Sequence, residues 1–172
     1  RVNPNIDAHV DLHVATGLGD SKFGVKLTDV IALYQKAAEL KEIEIEGISC
    51  HIGSLVESTA PYMSEIEVLS VFVNELLDRG IALKHFDIGG GAGVAYKSDE
   101  KTLEPSELIP AVVAQIRSLV KIPDIEILIE PGRSIIAQAG VLLTRVEYLK
   151  SGLFERNFCV VDASMTELVR PA

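Results

Sequence analysis

Three short motifs in this sequence set side chains capable of chemistry beside glycine. In Glu130-Pro131-Gly132-Arg133, a carboxylate and a guanidinium flank a Pro-Gly pair that cannot extend a ladder and readily turns. A carboxylate so held can keep a proton on a basic ligand, and a guanidinium offers a fork to a carboxylate or phosphate. The plainer alternative is an ion pair that closes the turn. In Gly89-Gly90-Gly91-Ala92-Gly93, backbone N–H groups can converge on an anion because no Cβ obstructs close approach. Val94 breaks the dinucleotide fingerprint and no Gly-Lys-Ser/Thr follows, so neither nucleotide motif is present; a simple tight turn is the alternative. His51-Ile52-Gly53-Ser54 supplies an imidazole that can stack on a flat ring and a hydroxyl that can donate to a phosphate. A structural hydrogen-bonding histidine is the alternative there. His9, His13, His51 and His85 show no ligand spacing with cysteines or carboxylates, so no metal site is predicted.

The elements that must position these motifs follow from periodicity. Each motif closes a short apolar run: residues 46–52, 83–88 and 125–130 read as strands, the last with Ile125, Ile127 and Ile129 alternating with Glu126, Leu128 and Glu130. Between them lie helical patterns. Thr28 is expected to cap a helix bearing Val30, Leu33, Tyr34, Ala37 and Leu40 on one face. A second helix follows Pro61, with Tyr62, Ile66, Leu69, Val73 and Leu76 as its apolar stripe and Gly80 as its stop. A third opens near Pro105 and carries Leu108, Val112, Ile116 and Leu119. The polar, glycine-bearing stretch up to Gly24 reads as a surface loop.

Strand, loop and helix in alternation predict an α/β architecture with a parallel sheet. Val2-Asn3-Pro4 reads as the end of an earlier strand running into a turn, so that about four such units make half of an eight-stranded barrel, in which ligands gather at the carboxyl ends of the strands. After Gly140 the rhythm changes: residues 141–149 and 157–162 are two strand-like runs with no helix between them, read as the entrance to a β-rich domain. The absence of an initiator Met and the abrupt ends suggest an internal fragment.

Composition narrows the partners. With 172 residues, 48% hydrophobic and 24% charged, the chain reads as a globular protein with a sizeable core. A net charge of −9 argues against nucleic acid or an anionic membrane as the main partner, without excluding a local cationic pocket. No apolar run approaches the length of a transmembrane helix. Cys50 and Cys159 lie far apart in apolar runs, which predicts buried free thiols in a reducing compartment.

Taken with Arg1-Val2-Asn3-Pro4, Ser21-Lys22-Phe23-Gly24 and Asp162-Ala163-Ser164-Met165…Arg170-Pro171, these motifs resemble the meso-diaminopimelate decarboxylases over essentially the whole chain. These enzymes belong to the fold-type III pyridoxal-phosphate group, with the ornithine and arginine decarboxylases. The resemblance implies the C-terminal half of a pyridoxal-phosphate-binding (β/α)8 TIM-type barrel over residues 1–138 and the first strands of a C-terminal β domain over 139–172. It implies pyridoxal 5'-phosphate as cofactor, an amino-acid substrate, and decarboxylation of meso-diaminopimelate to L-lysine in a cytoplasmic homodimer with shared active sites. His51 would stack on the pyridoxal ring and Glu130 would pair with its nitrogen. Ser54, Gly89, Gly90 and Gly91 would hold the phosphate, helped by Gly132 and Arg133. Arg133 and Arg170 would receive the substrate's distal carboxylate.

The family's Schiff-base lysine precedes anything in this chain, and none of the nine lysines matches its motif. Lys22 corresponds to a different position. The 172 residues alone are therefore expected to be inactive. Asp162-Ala163-Ser164-Met165 also departs from the family's Asp-Ala-Gly-Met, and a serine there demands a more restricted backbone. Three other readings stay open: an ornithine-, arginine- or carboxynorspermidine-type decarboxylase, a catalytically dead homologue acting as a binding protein, and a barrel enzyme for a phosphorylated sugar.

Overall fold

The computed structural model describes residues 1–8, 16–19, 21–100, 102–154 and 156–169. Two compact units make up the chain, Arg1–Ala137 and Gln138–Ala172. The first contains β1 (Val2–Asn3), β2 (Val25–Lys26), α1 (Val30–Ala38), β3 (Gly47–Ser49), α2 (Ala60–Asp78), β4 (His85–Asp87), α3 (Pro105–Leu119), β5 (Glu126–Leu128) and α4 (Arg133–Ile136). Strands β3, β4 and β5 form a parallel sheet in chain order, each joined to the next by a helix. That connection is the one parallel neighbours require.

Alternation along the strands decides which face meets the helices. Ile48, Cys50 and Ile52 on the β3 run, Phe86 and Ile88 on the β4 run and Ile125 before β5 are all buried. They pack with Tyr62, Ile66, Leu69, Val73 and Leu76 of α2 and with Leu108, Val112 and Ile116 of α3 in one core. Truncating one of these, Leu69→Ala for example, removes about 2–5 kcal/mol. The α2 stripe is therefore the expected one, and its stop is a Schellman motif. Gly80 takes φ +84°, its N–H donates to the Leu77 carbonyl, and Ile81 N–H returns to that of Leu76, both at 2.9 Å.

Other expectations are corrected. Thr28 does not cap α1; it lies in a 3-10 turn, Leu27–Asp29, and its hydroxyl donates to the Asp29 carboxylate. Of the α1 stripe only Val30 is buried, because the remainder of that face lines an open groove with Arg1, Val2 and Val25. The strand end expected at Val2-Asn3-Pro4 is β1, and its parallel partner β2, just after the stretch read as loop, was not foreseen. Gly24 takes φ +76° in that approach, and a Cβ there would stand 2.7 Å from the Asn3 amide nitrogen. The β5 run is less buried than its pattern suggested: Ile129 is 42% exposed, since β5 is a sheet edge paired only with β4.

In the second unit, β6 (Val146–Ser151) and β7 (Asn157–Val161) pair antiparallel. Residues 141–145 are not strand. Cys159 is exposed rather than buried, because the side chains of this ribbon are largely uncovered on both faces; Cys50 is buried as expected, and both thiols are free. The serine at 164 avoids the left-handed region altogether. Its amide donates to Glu167 Oε2 at 2.7 Å, and the Thr166 amide donates to its Oγ at 3.3 Å, a contact a glycine could not make.

Candidate functional site

The register of the central sheet assembles the site. Gly47 pairs with His85 and His85 with Glu126; Ser49 pairs with Asp87 and Asp87 with Leu128. Two residues further along, the same register sets His51, Gly89 and Glu130 in one row, where Glu130 N–H donates to the Gly89 carbonyl at 2.7 Å. Period two puts this row on the face opposite Phe86 and Ile88, away from the helices. His51 and Glu130 stand two strand spacings apart, about 10 Å between backbones. Gly89 between them adds no side chain, so the space framed by imidazole and carboxylate has a backbone floor.

The glycines of the run are dictated by their neighbours. A methyl group on Gly89 would run into the Cys50 carbonyl, one on Gly90 into that of Glu130, and one on Gly91 into that of Gly53. Gly89 and Gly91 also take φ of +69° and +99°, where L side chains are strained. The carbonyls of Gly89, Gly90 and Gly91 are tied down by the Glu130 amide, the Tyr62 hydroxyl and the Val56 amide respectively. The amides are not equivalent. Gly89 N–H donates to Asp87 Oδ1 at 2.8 Å and Gly90 N–H to His51 Nδ1 at 3.1 Å. Gly91 N–H donates to no described residue.

His51 is half-buried, with its carbonyl anchored by the Thr16 hydroxyl at 3.0 Å and Arg1 Nη2 at 3.3 Å. Burial, helped by the Arg1 charge, lowers its pKa from the ordinary histidine value, with Glu130 and Asp87 pulling the other way. The Ser54 hydroxyl forms no hydrogen bond with described residues, and the residue after it, Leu55, sits at φ +64°. Glu130 is exposed at the strand end. No ion pair joins it to Arg133 among the described residues; Arg133 Nη1 instead donates to the Tyr96 hydroxyl at 3.0 Å. The turn-closing pair considered from sequence is therefore not formed. Gly132 has a negative φ, −102°, and a methyl group there would meet nothing within 4 Å. Arg170, His9 and His13 lie outside the described residues.

Sequence reasoning missed the groups that hold this frame. Tyr62 read as a core residue, yet its hydroxyl is what fixes the Gly90 carbonyl, at 3.0 Å. Asp87, two residues before the glycine run, holds the Gly89 amide. Glu65 gave no signal except a carboxylate one helical turn past Tyr62. It is fully buried, and neither oxygen has an N–H or O–H partner among the described residues. Burial pushes its pKa well above the carboxylate range, with the Asp87 charge acting in the same direction and the facing Cys50 thiol opposing. At the opposite end of the same sheet face, His85 stands between Glu46 and Glu126 at 3.1 and 3.0 Å. That cluster is separate from the glycine end, and no group of metal-ligating side chains occurs among the described residues.

A parallel βα sheet whose strand ends gather an imidazole, a carboxylate and a run of glycines has the layout of a barrel-type domain, in which ligands gather at the carboxyl ends of the strands. Comparison with known proteins supplies the family. The pyridoxal-binding domain of the pyridoxal-dependent decarboxylases matches residues 1–137, and the chain belongs to that family. It is 42% identical over 172 residues to diaminopimelate decarboxylase from Pseudomonas aeruginosa and 41% identical to that from Haemophilus influenzae, covering all of this chain and 40% of each relative. The crystal structure of diaminopimelate decarboxylase from Helicobacter pylori complexed with L-lysine superposes with a TM-score of 0.85 at 34% identity, covering 96% of this chain and 40% of that one. The α/β architecture is thus that of a pyridoxal barrel domain, and the chain spans about 40% of the length of the curated relatives it matches.

Proposed function

We propose that the protein containing this chain decarboxylates meso-2,6-diaminopimelate to L-lysine and CO2 with pyridoxal 5'-phosphate. The observation that carries the reading is the row of His51, Gly89 and Glu130, which sets an imidazole and a carboxylate on either side of a glycine and so supports placing a flat aromatic ring between them. Relatives at 41 and 42% identity that bear the diaminopimelate decarboxylase name support the substrate. The residues present fit the cofactor: the Gly91 amide and the Ser54 hydroxyl, which bond to no described residue, suit a phosphate.

In this reading His51 covers one face of the ring. Ser54 and the Gly89–Gly91 turn bind the phosphate, with help from the Gly132–Arg133 turn; Gly91 supplies the amide not already engaged. Glu130 would lie against the ring nitrogen, where its opposite charge would favour the protonated form. Its backbone is already fixed by Gly89, so the carboxylate needs little reorganisation during reaction. When bound, pyridoxal phosphate supplies the electron sink for the pair left behind as CO2 departs. Arg133, held toward Tyr96, offers its remaining donors to the distal carboxylate of the diacid; Arg170 is assigned the same task from the resemblance alone. Residues 1–138 are then part of the barrel and 139–172 the opening of a β domain. Cytoplasmic residence, homodimer assembly and a Schiff-base lysine elsewhere in the protein belong to the same proposal.

The test is release of lysine and CO2 from meso-diaminopimelate by the full-length protein. Consumption of ornithine or arginine instead would overturn the substrate, and failure to bind pyridoxal phosphate would overturn the cofactor. Glu130→Gln is expected to retain cofactor and lower turnover by about 10²–10³; an unchanged rate removes Glu130 from the chemistry.

A further inference from the structure

One peptide group touches both residues of the ring frame. The carbonyl of the Gly89–Gly90 peptide accepts from Glu130 N–H at 2.7 Å, and its N–H donates to His51 Nδ1 at 3.1 Å. A peptide unit is planar and rigid, and this one is wedged. Side chains at Gly89 and Gly90 would collide with the Cys50 and Glu130 carbonyls, so the unit has little freedom to shift. A neutral imidazole has one donor and one acceptor nitrogen. An amide hydrogen aimed at Nδ1 demands a lone pair there and leaves the proton on Nε2.

We propose that the Gly89–Gly90 peptide is a positioning element that holds His51 as the neutral Nε2–H tautomer while fixing the backbone of Glu130. Protonating Nδ1 would set two N–H groups against each other across this contact. The charged groups that act on His51 are Arg1, which opposes a second positive charge, and Glu130 and Asp87, which favour one. The peptide bond and burial side with Arg1. The consequence for a bound ring is a division of labour. Glu130 stabilises a proton on the ring, and a neutral His51 can lie on that cationic ring without like-charge repulsion. A histidinium in the same place would work against Glu130. The hydrogen-bonded chain from Glu130 through the peptide to His51 exists independently of any ligand; only its use rests on the function proposed above.

The experiment is ring-nitrogen NMR on the full-length protein labelled with 15N-histidine, without cofactor and with it, His51 being assigned by comparison with His51→Asn. The expected spectrum has an acceptor-type Nδ1 and a protonated Nε2 that persist below the ordinary histidine midpoint. An Nδ1–H tautomer, or a histidinium at neutral pH, overturns the proposal. Hydrogen exchange at the Gly90 amide gives a second readout. His51→Asn keeps an acceptor and should keep protection, whereas His51→Phe keeps a ring without an acceptor and should speed exchange about tenfold, the loss of one ordinary hydrogen bond. Equal protection in wild type and His51→Phe also overturns it. If the tautomer is found but pyridoxal phosphate does not bind, the inference stands and the assigned function falls.

Discussion

A methyl group placed on Gly90 runs into the Glu130 carbonyl, whereas one placed on Gly132 meets nothing within 4 Å. Both glycines stand in turns at the carboxyl ends of neighbouring strands, and from sequence both read as turn residues beside a ligand. The turn after β4 is crowded because three strand ends converge on it: the β3 end contributes carbonyls from Cys50 and Gly53, and the β5 end contributes that of Glu130. The turn after β5 lies at the sheet edge, where no neighbouring atom crowds a Cβ on its glycine. The difference teaches that one glycine motif can be a structural keystone while its neighbour is free to answer to a ligand.

The largest effect expected from this contrast is on folding. Gly90→Ala should cost about 3 kcal/mol or prevent folding, as overpacking against immovable backbone does. Gly132→Ala should stay within about 0.5 kcal/mol of wild type. Urea denaturation of both variants checks this, and equal losses would break the comparison. Next in size is a pH effect beneath the crowded turn. Glu65 has a folded pKa raised above its unfolded value, so the protein takes up a proton on folding and its contribution is greatest in acid. Stability is then lost as pH rises above the ordinary carboxylate range, until the folded group itself ionises. Relative to Glu65→Gln, wild type should lose about 1.4 kcal/mol per pH unit across that window. Parallel stability–pH curves for wild type and Glu65→Gln would refute the burial argument. The smallest effect concerns Leu55, at φ +64° beside Ser54. Leu55→Asn should gain about 0.5–1 kcal/mol by easing the left-handed strain, measurable as a raised denaturation midpoint.

Much of the frame was legible because periodicity reports burial. The α2 stripe and the Gly80 stop were readable since i, i+3, i+4 spacing and a left-handed glycine each have one dominant physical cause. The three strand-end motifs were readable by the residue types they combine. What sequence hid were relations across strands. That His51, Gly89 and Glu130 share a row depends on register, which no local pattern states. The amides of Gly89 and Gly90 looked free for an anion, but a string of residues cannot show Asp87 and His51 already occupying them. Tyr62 and Glu65 sit on the face that helical spacing marks as core, so their polar atoms gave no separate signal. Exposure misled in the other direction for α1, β5 and Cys159, whose apolar pattern expects a cover that this stretch of chain does not supply.

The order β3–β4–β5 follows the order of the chain. A ribosome therefore releases each strand and its crossover helix next to an edge that already exists, and no later segment must thread between earlier ones. Parallel pairing across long crossovers is slow to form and leaves apolar edges open meanwhile. In this sheet the edge exposed after each addition is the template for the next, so assembly can keep pace with synthesis by simple accretion.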